Sequence, residues 1–262
     1  MHKVNPYLIT PNHPITVTVI GCGGTGSRLL GKLASLNASL KLSGHRGLHV
    51  VAVDGDRVTE SNCGRQMFYP SDINRFKAAV LIERINRCFG FNWESLNEYI
   101  FDIPKRNITF ICVDSLSVRK NLYETNMKLN RYSDERAKRM YIIDCGNTYN
   151  SGQVVIYSPN SDLKSVVELF GDAEVADAKK PSCSMFINLR EQSLFINDIV
   201  ATVAVNSLYE LIAEMQLDYN GIMIDLKTFK FIKIPIHETK VPTGSAEGDQ
   251  QGVPQDPNAT NP

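Results

Sequence analysis

No sign of charge dominates this chain. Its 262 residues carry 28 lysines and arginines against 28 aspartates and glutamates, which excludes a protein built mainly to bind nucleic acid or an anionic membrane surface. None of the six cysteines, at 22, 63, 88, 112, 145 and 183, forms a Cys-x-x-Cys pair, which excludes a zinc knuckle or a redox dithiol. Scattered free cysteines fit a reducing cytoplasm. No apolar run approaches the ~20 residues of a membrane helix. Residues 1–20 lack the basic start and long apolar core of a signal peptide. The last 22 residues, Val241 to Pro262, contain no Leu, Ile, Met or aromatic side chain. Such a segment cannot bury enough apolar area to offset its ordering entropy and is expected to be a disordered tail. With a 43% apolar share, residues 1–240 suffice for one large domain.

What is present is a pattern of buried strands and helices. Ile15–Ile20 is a short β-branched run that reads as a buried strand. A glycine turn follows, Gly21-Cys-Gly-Gly-Thr-Gly26, and then Leu29, Leu33, Leu36 and Leu40 recur at helical spacing. Leu48–Val53 is a second buried strand ending at Asp54-Gly-Asp56. Strand, turn, helix and strand make a βαβ unit, which implies a parallel sheet. Further elements are expected as a helix from about Asn74 to Cys88, a strand Ile108–Val113 ending at Asp114, a helix Val118–Leu129 and a strand Tyr141–Asp144. The charged stretch from Arg131 to Arg139 reads as a solvated loop or helix end. Gln153–Tyr157 suggests an antiparallel addition, and Ile199–Ala213 is apolar nearly all round, as a buried helix is. Asn220-Gly221 reads as a turn, with a hairpin about Lys227-Thr228 beyond it. The fold class is α/β, a Rossmann-like doubly wound and mostly parallel sheet with antiparallel C-terminal strands.

The glycine turn satisfies G-x-G-x-x-G between a strand and a helix. Gly21 permits the tight turn, Gly23 lets a phosphate approach the backbone, and Gly26 lets helix and sheet pack closely. Gly24 belongs to the same cradle, and the helix start offers free N–H groups to an anion. Asp54, at the end of the second strand, is placed to accept ribose hydroxyls, which suits NAD and ATP equally. The run Asp54 to Gln66 separates the two. An arginine, Arg65, forms paired hydrogen bonds to phosphate oxygens, and Asn62 and Gln66 add neutral donors. Lys77 supplies a mobile point charge, and Asp114 suits Mg²⁺ with phosphate oxygens. Taken singly, Arg65 would be a surface ion pair, Lys77 an exposed side chain and Asp114 a helix cap. Their order after a glycine turn points to ATP use with chemistry at the phosphates.

These motifs resemble the ThiF/MoeB/ubiquitin-activating enzyme superfamily. The resemblance rests on Gly21 through Ser27, Val53-Asp-Gly-Asp56, Ser61-Asn62 to Arg65-Gln66, Lys77-Ala78, Cys112-Val-Asp114, Ile143-Asp-Cys-Gly146 and Gly152-Gln-Val154. It spans roughly residues 15 to 235, and the closer likeness is to the ThiF-like proteins of PRTRC plasmid systems. The family implies an adenylyltransferase that activates the C-terminal glycine of a ubiquitin-like or sulfur-carrier protein with ATP and Mg²⁺. It implies a homodimer, and a conjugating-type partner is compatible with it. Asp54 would then bind ribose, with Asp56 beside it. Asn62, Arg65, Gln66 and Lys77 would steady the phosphates, and Asp114 would coordinate Mg²⁺. Members that pass the acyl group to a cysteine make Cys183 the candidate. It follows Lys179 and Lys180, which favour thiolate, and the other five cysteines read as small apolar fillers. Two departures stand out. The paired zinc ligands of bacterial members are missing, so no structural zinc is expected, and residues 1–20 hold no arginine to reach a partner subunit's ATP. Other readings left open are a small-molecule cyclase or dehydratase of the same superfamily, a non-catalytic nucleotide-binding subunit, and an NAD-dependent oxidoreductase.

Overall fold

A computed structural model describes residues 1–104, 106–129, 140–159, 161–171 and 195–236. Cys183, the charged stretch from Arg131 to Arg139 and the tail from Val241 lie outside them. The strands are β1 (His2–Lys3), β2 (Ile15–Ile20), β3 (Leu48–Val53), β4 (Glu94–Leu96), β5 (Ile108–Ile111), β6 (Tyr141–Asn147), β7 (Ser151–Tyr157), β8 (Gln216–Leu217), β9 (Tyr219–Asp225) and β10 (Lys230–Pro235). The helices are α1 (Gly24–Leu42), α2 (Lys77–Phe89), α3 (Leu116–Leu129), α4 (Val166–Phe170) and α5 (Ile196–Ala213).

Eight strands form one sheet in the order β10-β9-β7-β6-β5-β2-β3-β4. The pairings β2–β3, β2–β5, β3–β4 and β5–β6 are parallel, and β6–β7, β7–β9 and β9–β10 are antiparallel. The expected α/β class with antiparallel C-terminal strands is therefore observed. From β2 the chain runs outward through β3 to β4, then returns to the other side of β2 at β5. The C-terminal end of β2 is thus the point where strand order reverses, the place where open α/β sheets receive ligands. Gly21, Asp54 and Asp114 all lie just beyond strand ends on this side.

The central strands are buried because they carry β-branched and apolar residues on both faces. Val17, Val19, Val50, Ala52, Ile108 and Phe110 are wholly inaccessible. On α1, Leu29, Leu30, Leu33 and Leu40 face the core. By length and composition alone α5 could cross a membrane, but 56% of it is buried inside the protein, and Val200, Ala201, Ala204, Leu208 and Leu211 join the common core.

Three local expectations change. The second helix starts at Lys77, not Asn74. Asn74 has a left-handed backbone (φ 69°), Phe76 is extended, and the helix ends at left-handed Gly90. Asn220-Gly221 is not a turn but the interior of β9. Asn220 is fully buried. Its amide donates to the carbonyls of Ile156 (2.9 Å) and Lys164 (2.8 Å), and its oxygen accepts from Lys164 N (2.8 Å). A Cβ on Gly221 would lie 2.5 Å from the Val154 carbonyl, so close strand packing, not a turn, requires glycine there. Finally, Cys22, Cys112 and Cys145 are buried as expected of fillers, but Cys63 is half-buried and Cys88 is exposed on the last turn of α2.

Asn220 thus joins β7, β9 and the segment before α4. Asn220→Ala leaves buried carbonyls without donors and is expected to cost about 2–4 kcal/mol. The check is a lowered urea midpoint with an unchanged m-value.

Candidate functional site: a phosphate cradle at the switch point

The glycine loop is shaped by backbone packed on backbone. Gly21 has φ +87°, and a Cβ there would lie 2.9 Å from the Cys112 carbonyl oxygen. A Cβ on Gly26 would lie 1.9 Å from the Gly21 carbonyl oxygen. These two positions accept only glycine. Gly23 differs, since its nearest neighbour would be Gln66 Nε2 at 3.9 Å. A side chain would fit there, so glycine is not required at this position by packing on the described residues. Gly24 is required for another reason: a Cβ there would meet the amide of Asn197, on α5, at 2.8 Å. Helix α1 begins with Gly23 as its N-cap and no side-chain cap. Its first intrahelical bond runs from Ser27 N to Gly23 O (3.1 Å). The N–H groups before it form the positive end of a 19-residue helix.

Asp54 is tied to this loop. One carboxylate oxygen accepts from Cys22 N (2.6 Å) and the other from Asp56 N (2.8 Å). Burial raises its pKa, and the two backbone N–H groups and Lys77 offset this only in part. The same burial, with the Asp54 charge beside it, pushes the Cys22 thiol well up and leaves it inert.

Lys77 departs from the expectation of a mobile charge. It is 8% exposed, its backbone N–H bonds the Asp56 carbonyl (3.0 Å), and its ammonium donates to Asp56 Oδ2 (2.8 Å). It is immobile because it is the first residue of α2 and is anchored at both ends to Asp56. Tyr99 donates its hydroxyl to the other Asp56 oxygen (2.6 Å). Burial would raise the Asp56 carboxyl, but Lys77 and Tyr99 outweigh it and hold the group below the usual carboxylate range.

The segment from Thr59 to Gln66 folds over the glycine loop. Asn62 Oδ1 caps its short helical turn by accepting from Thr59 N (3.0 Å), so the side-chain oxygen of Asn62 serves the loop itself. Gln66 N bonds the Asn62 carbonyl (2.9 Å). Arg28, one turn into α1, donates to the Arg65 carbonyl (3.2 Å), and Ser27 Oγ accepts from Met67 N (3.3 Å). Arg65 Nε and Gln66 Oε1 are buried with no hydrogen-bond partner among the described residues. An unpartnered buried polar atom is costly, and Arg28 Nε, one turn into α1, is a third such atom nearby. A hollow of about 780 Å³ adjoins Gln66, lined also by Arg28, Cys63, Met67 and Tyr69 among others.

Asp114 is exposed on the loop between β5 and α3. The sequence reading missed what holds that loop. Arg119, on α3, pairs with buried Asp144 and donates to the carbonyls of Val113 and Cys145 (both 2.6 Å). No local pattern in the sequence signals this role, because Asp144 and Cys145 lie 25 and 26 residues away. Among the described residues no cluster of three or more His, Cys, Asp or Glu could hold a metal by itself. A single exposed carboxylate fits Mg²⁺ that arrives with phosphate oxygens.

The glycine loop thus meets Asp54 through Cys22 N, the end of β5 through Gly21 and the Arg65–Gln66 segment through Gly23 and Arg28, with Asp56 and Lys77 paired beside Asp54. The class this defines is a Rossmann-like protein with a phosphate cradle at its switch point. The sequence matches the ThiF family over residues 13–246, and the chain belongs to that family. Among curated protein sequences, none matches it. Among solved structures it is similar to PaaA (TM-score 0.57, 16% identity, 85% of this chain and 64% of that one). It is similar also to E. coli MccB with ATP (0.60, 16%, 89% and 66%). The microcin C7 biosynthetic enzyme MccB in complex with N-formylated MccA gives 0.61 at 18% identity, covering 87% and 66%. This chain spans just under two thirds of the first of these, and at such identity the likeness is one of fold.

The Asp56–Lys77 pair has a signature in acid. Because the folded-state pKa of Asp56 is depressed, the folded chain binds fewer protons than the unfolded one. Its contribution is full above the ordinary aspartate value of about 4 and is lost as pH falls through the folded value. Asp56 is half exposed, which limits the effect to about 1 kcal/mol. The stability advantage of wild type over Asp56→Asn, measured by urea unfolding, is expected at pH 7 and should shrink below pH ~4. A difference that stays constant with pH would contradict the assignment.

Proposed function

We propose that this chain is an ATP-dependent adenylyltransferase that activates the C-terminal carboxylate of a small protein or peptide. The finer reading is a ubiquitin-like or sulfur-carrier protein ending in glycine. The observation that carries the reading is the unpartnered, buried Arg65 guanidinium nitrogen beside the bare start of α1. Both favour an anion, and the backbone of Gly23 leaves room for it.

In this reading the carboxylate attacks the α-phosphate of ATP. Its oxygen forms the new P–O bond, pyrophosphate leaves with the electron pair of the broken bond, and an acyl adenylate results. The chain's residues bind and orient. The N–H groups at the start of α1 cradle the polyphosphate, and Arg65 offsets charge that builds on the oxygens in the transition state. Turning the Gln66 amide over, which exchanges its O and N positions, presents an N–H donor at the same spot. Asp54 accepts from ribose hydroxyls. Lys77 would steady a phosphate only by exchanging its Asp56 partner for a phosphate oxygen when ATP binds. Asp114 would hold Mg²⁺, which supplies charge neutralisation for the attack of one anion on another. Members of the family that continue pass the acyl group to a thiolate with release of AMP, and in this chain Cys183 is the residue for that step. MccB has been solved with ATP and with MccA, which supports a nucleotide paired with a polypeptide acceptor.

Mg²⁺-ATP at a hundredfold excess over its Kd is expected to stabilise the chain by about 2.7 kcal/mol, a rise in melting temperature of about 5 °C or more, with no rise for NAD. Stabilisation by NAD alone would overturn the reading. With a glycine-terminated carrier present, Arg65→Ala should slow ATP–pyrophosphate exchange about 10²–10³-fold, and Asp114→Ala should abolish it. A thiol-sensitive adduct with the carrier should vanish in Cys183→Ala; its persistence there would remove Cys183 from the mechanism.

A further inference from the structure

The first turn of α5 reaches both halves of the phosphate cradle, although it lies more than 170 residues away from the glycine loop in sequence. Asn197 is 3% exposed and Thr25 is 4% exposed. The Thr25 hydroxyl donates to Asn197 Oδ1 (2.9 Å), with Asn147 Oδ1 farther off at 3.4 Å. The Asn197 amide lies flat against the backbone of Gly24, close enough that a single methyl group there would be 2.8 Å from it. One residue on, Asp198 pairs with Arg28 and lies 3.5 Å from Lys32. Arg28 in turn holds the Arg65 carbonyl. Successive residues of α5 therefore grip the start of α1 and, through Arg28, the loop that carries Arg65.

The two side chains differ in charge, and the difference matters. An acidic group against the N-terminus of a helix satisfies its dipole from within. At Asn197 the side chain has nearly the shape of aspartate but no charge, so the positive end of α1 stays available to an external anion. The acid at 198 is turned away and neutralised by two bases. We propose that Asn197 is a positioning residue for a polyphosphate ligand: it fixes the Gly24–Thr25 backbone by contact while keeping the floor of the cradle neutral, and Asp198 sets the Arg65 loop in the same frame. This rests on the nucleotide-binding reading only in the identity of the ligand. Asn197 and Asp198 themselves are assigned no part in the chemistry.

Asn197→Asp separates this role from a merely structural one. The variant keeps the acceptor for Thr25 and the shape against Gly24, so its unliganded melting temperature should match or exceed that of Asn197→Ala. Its affinity for Mg²⁺-ATP and for inorganic tripolyphosphate, measured by titration calorimetry, should fall together by about tenfold or more, because a buried charge at the helix start opposes the incoming anion. Affinity for adenosine should not change. Wild-type affinity for both phosphates in Asn197→Asp would overturn the inference. If that variant does not fold, Asn197→Ala decides: tripolyphosphate affinity must fall more than adenosine affinity, and equal losses would show a structural role alone. Tripolyphosphate binding that depends on Asn197 in a protein that ignores ATP would sink the adenylation reading and leave this one standing.

Discussion

Everything at the site follows from one steric constraint, the contact of the glycine loop with its own backbone and with the end of β5. Gly26 sits against the Gly21 carbonyl and Gly21 against the Cys112 carbonyl, at separations that no Cβ tolerates. This brings the start of α1 down onto the C-terminal ends of β2 and β5. The helix start is then close to Asp54 at the end of β3 and to the loop after β5 that holds Asp114. A looser turn would lift α1 away from Asp54 and from the loop after β5.

Around that constraint the charges are arranged in a definite way. Lys77 and Asp56 neutralise each other, as do Arg119 and Asp144 and Arg28 and Asp198. Each pair joins separate elements: α2 to the loop after β3, α3 to β6, and α1 to α5. Buried and half-buried charges of this kind hold position more than they add net stability. Among the described residues, the start of α1 has no side-chain cap and Arg65 Nε, like Arg28 Nε, is buried without a hydrogen-bond partner; both kinds of group favour an anion. The chain's overall charge balance is therefore compatible with a local preference for phosphate and a divalent cation.

The α5 contacts place the phosphate cradle in a wider frame. The glycine loop and the Arg65 segment touch across about 40 residues of sequence, but neither is braced by the other alone. Both lean on the same helical turn, which belongs to the core through Ile196, Val200 and Ala204. A rigid frame of this sort suits a reaction in which two anions must be held together, because orientation lost at one side would be lost at both.

The sequence by itself determined the βαβ start, the glycine loop, the strand-end acids and the family, because these depend on local rules: β-branched runs, helical spacing, and glycine where a Cβ cannot fit. It also placed the antiparallel additions. Where it went astray, long-range contacts outweighed local preference. Asn220-Gly221 has the composition of a turn, yet three hydrogen bonds to distant backbone hold it inside a strand. Lys77 has the composition of a free surface charge, yet Asp56, 21 residues earlier, holds it fixed. Gly24 looked like part of a ligand cradle, and its need for glycine comes from Asn197 on the far side of the chain. Arg119, Arg28 and Asn197 have no local signature at all. Only the tertiary structure decided their roles, since a hydrogen bond between residues 170 positions apart leaves no periodicity or spacing for a single sequence to display.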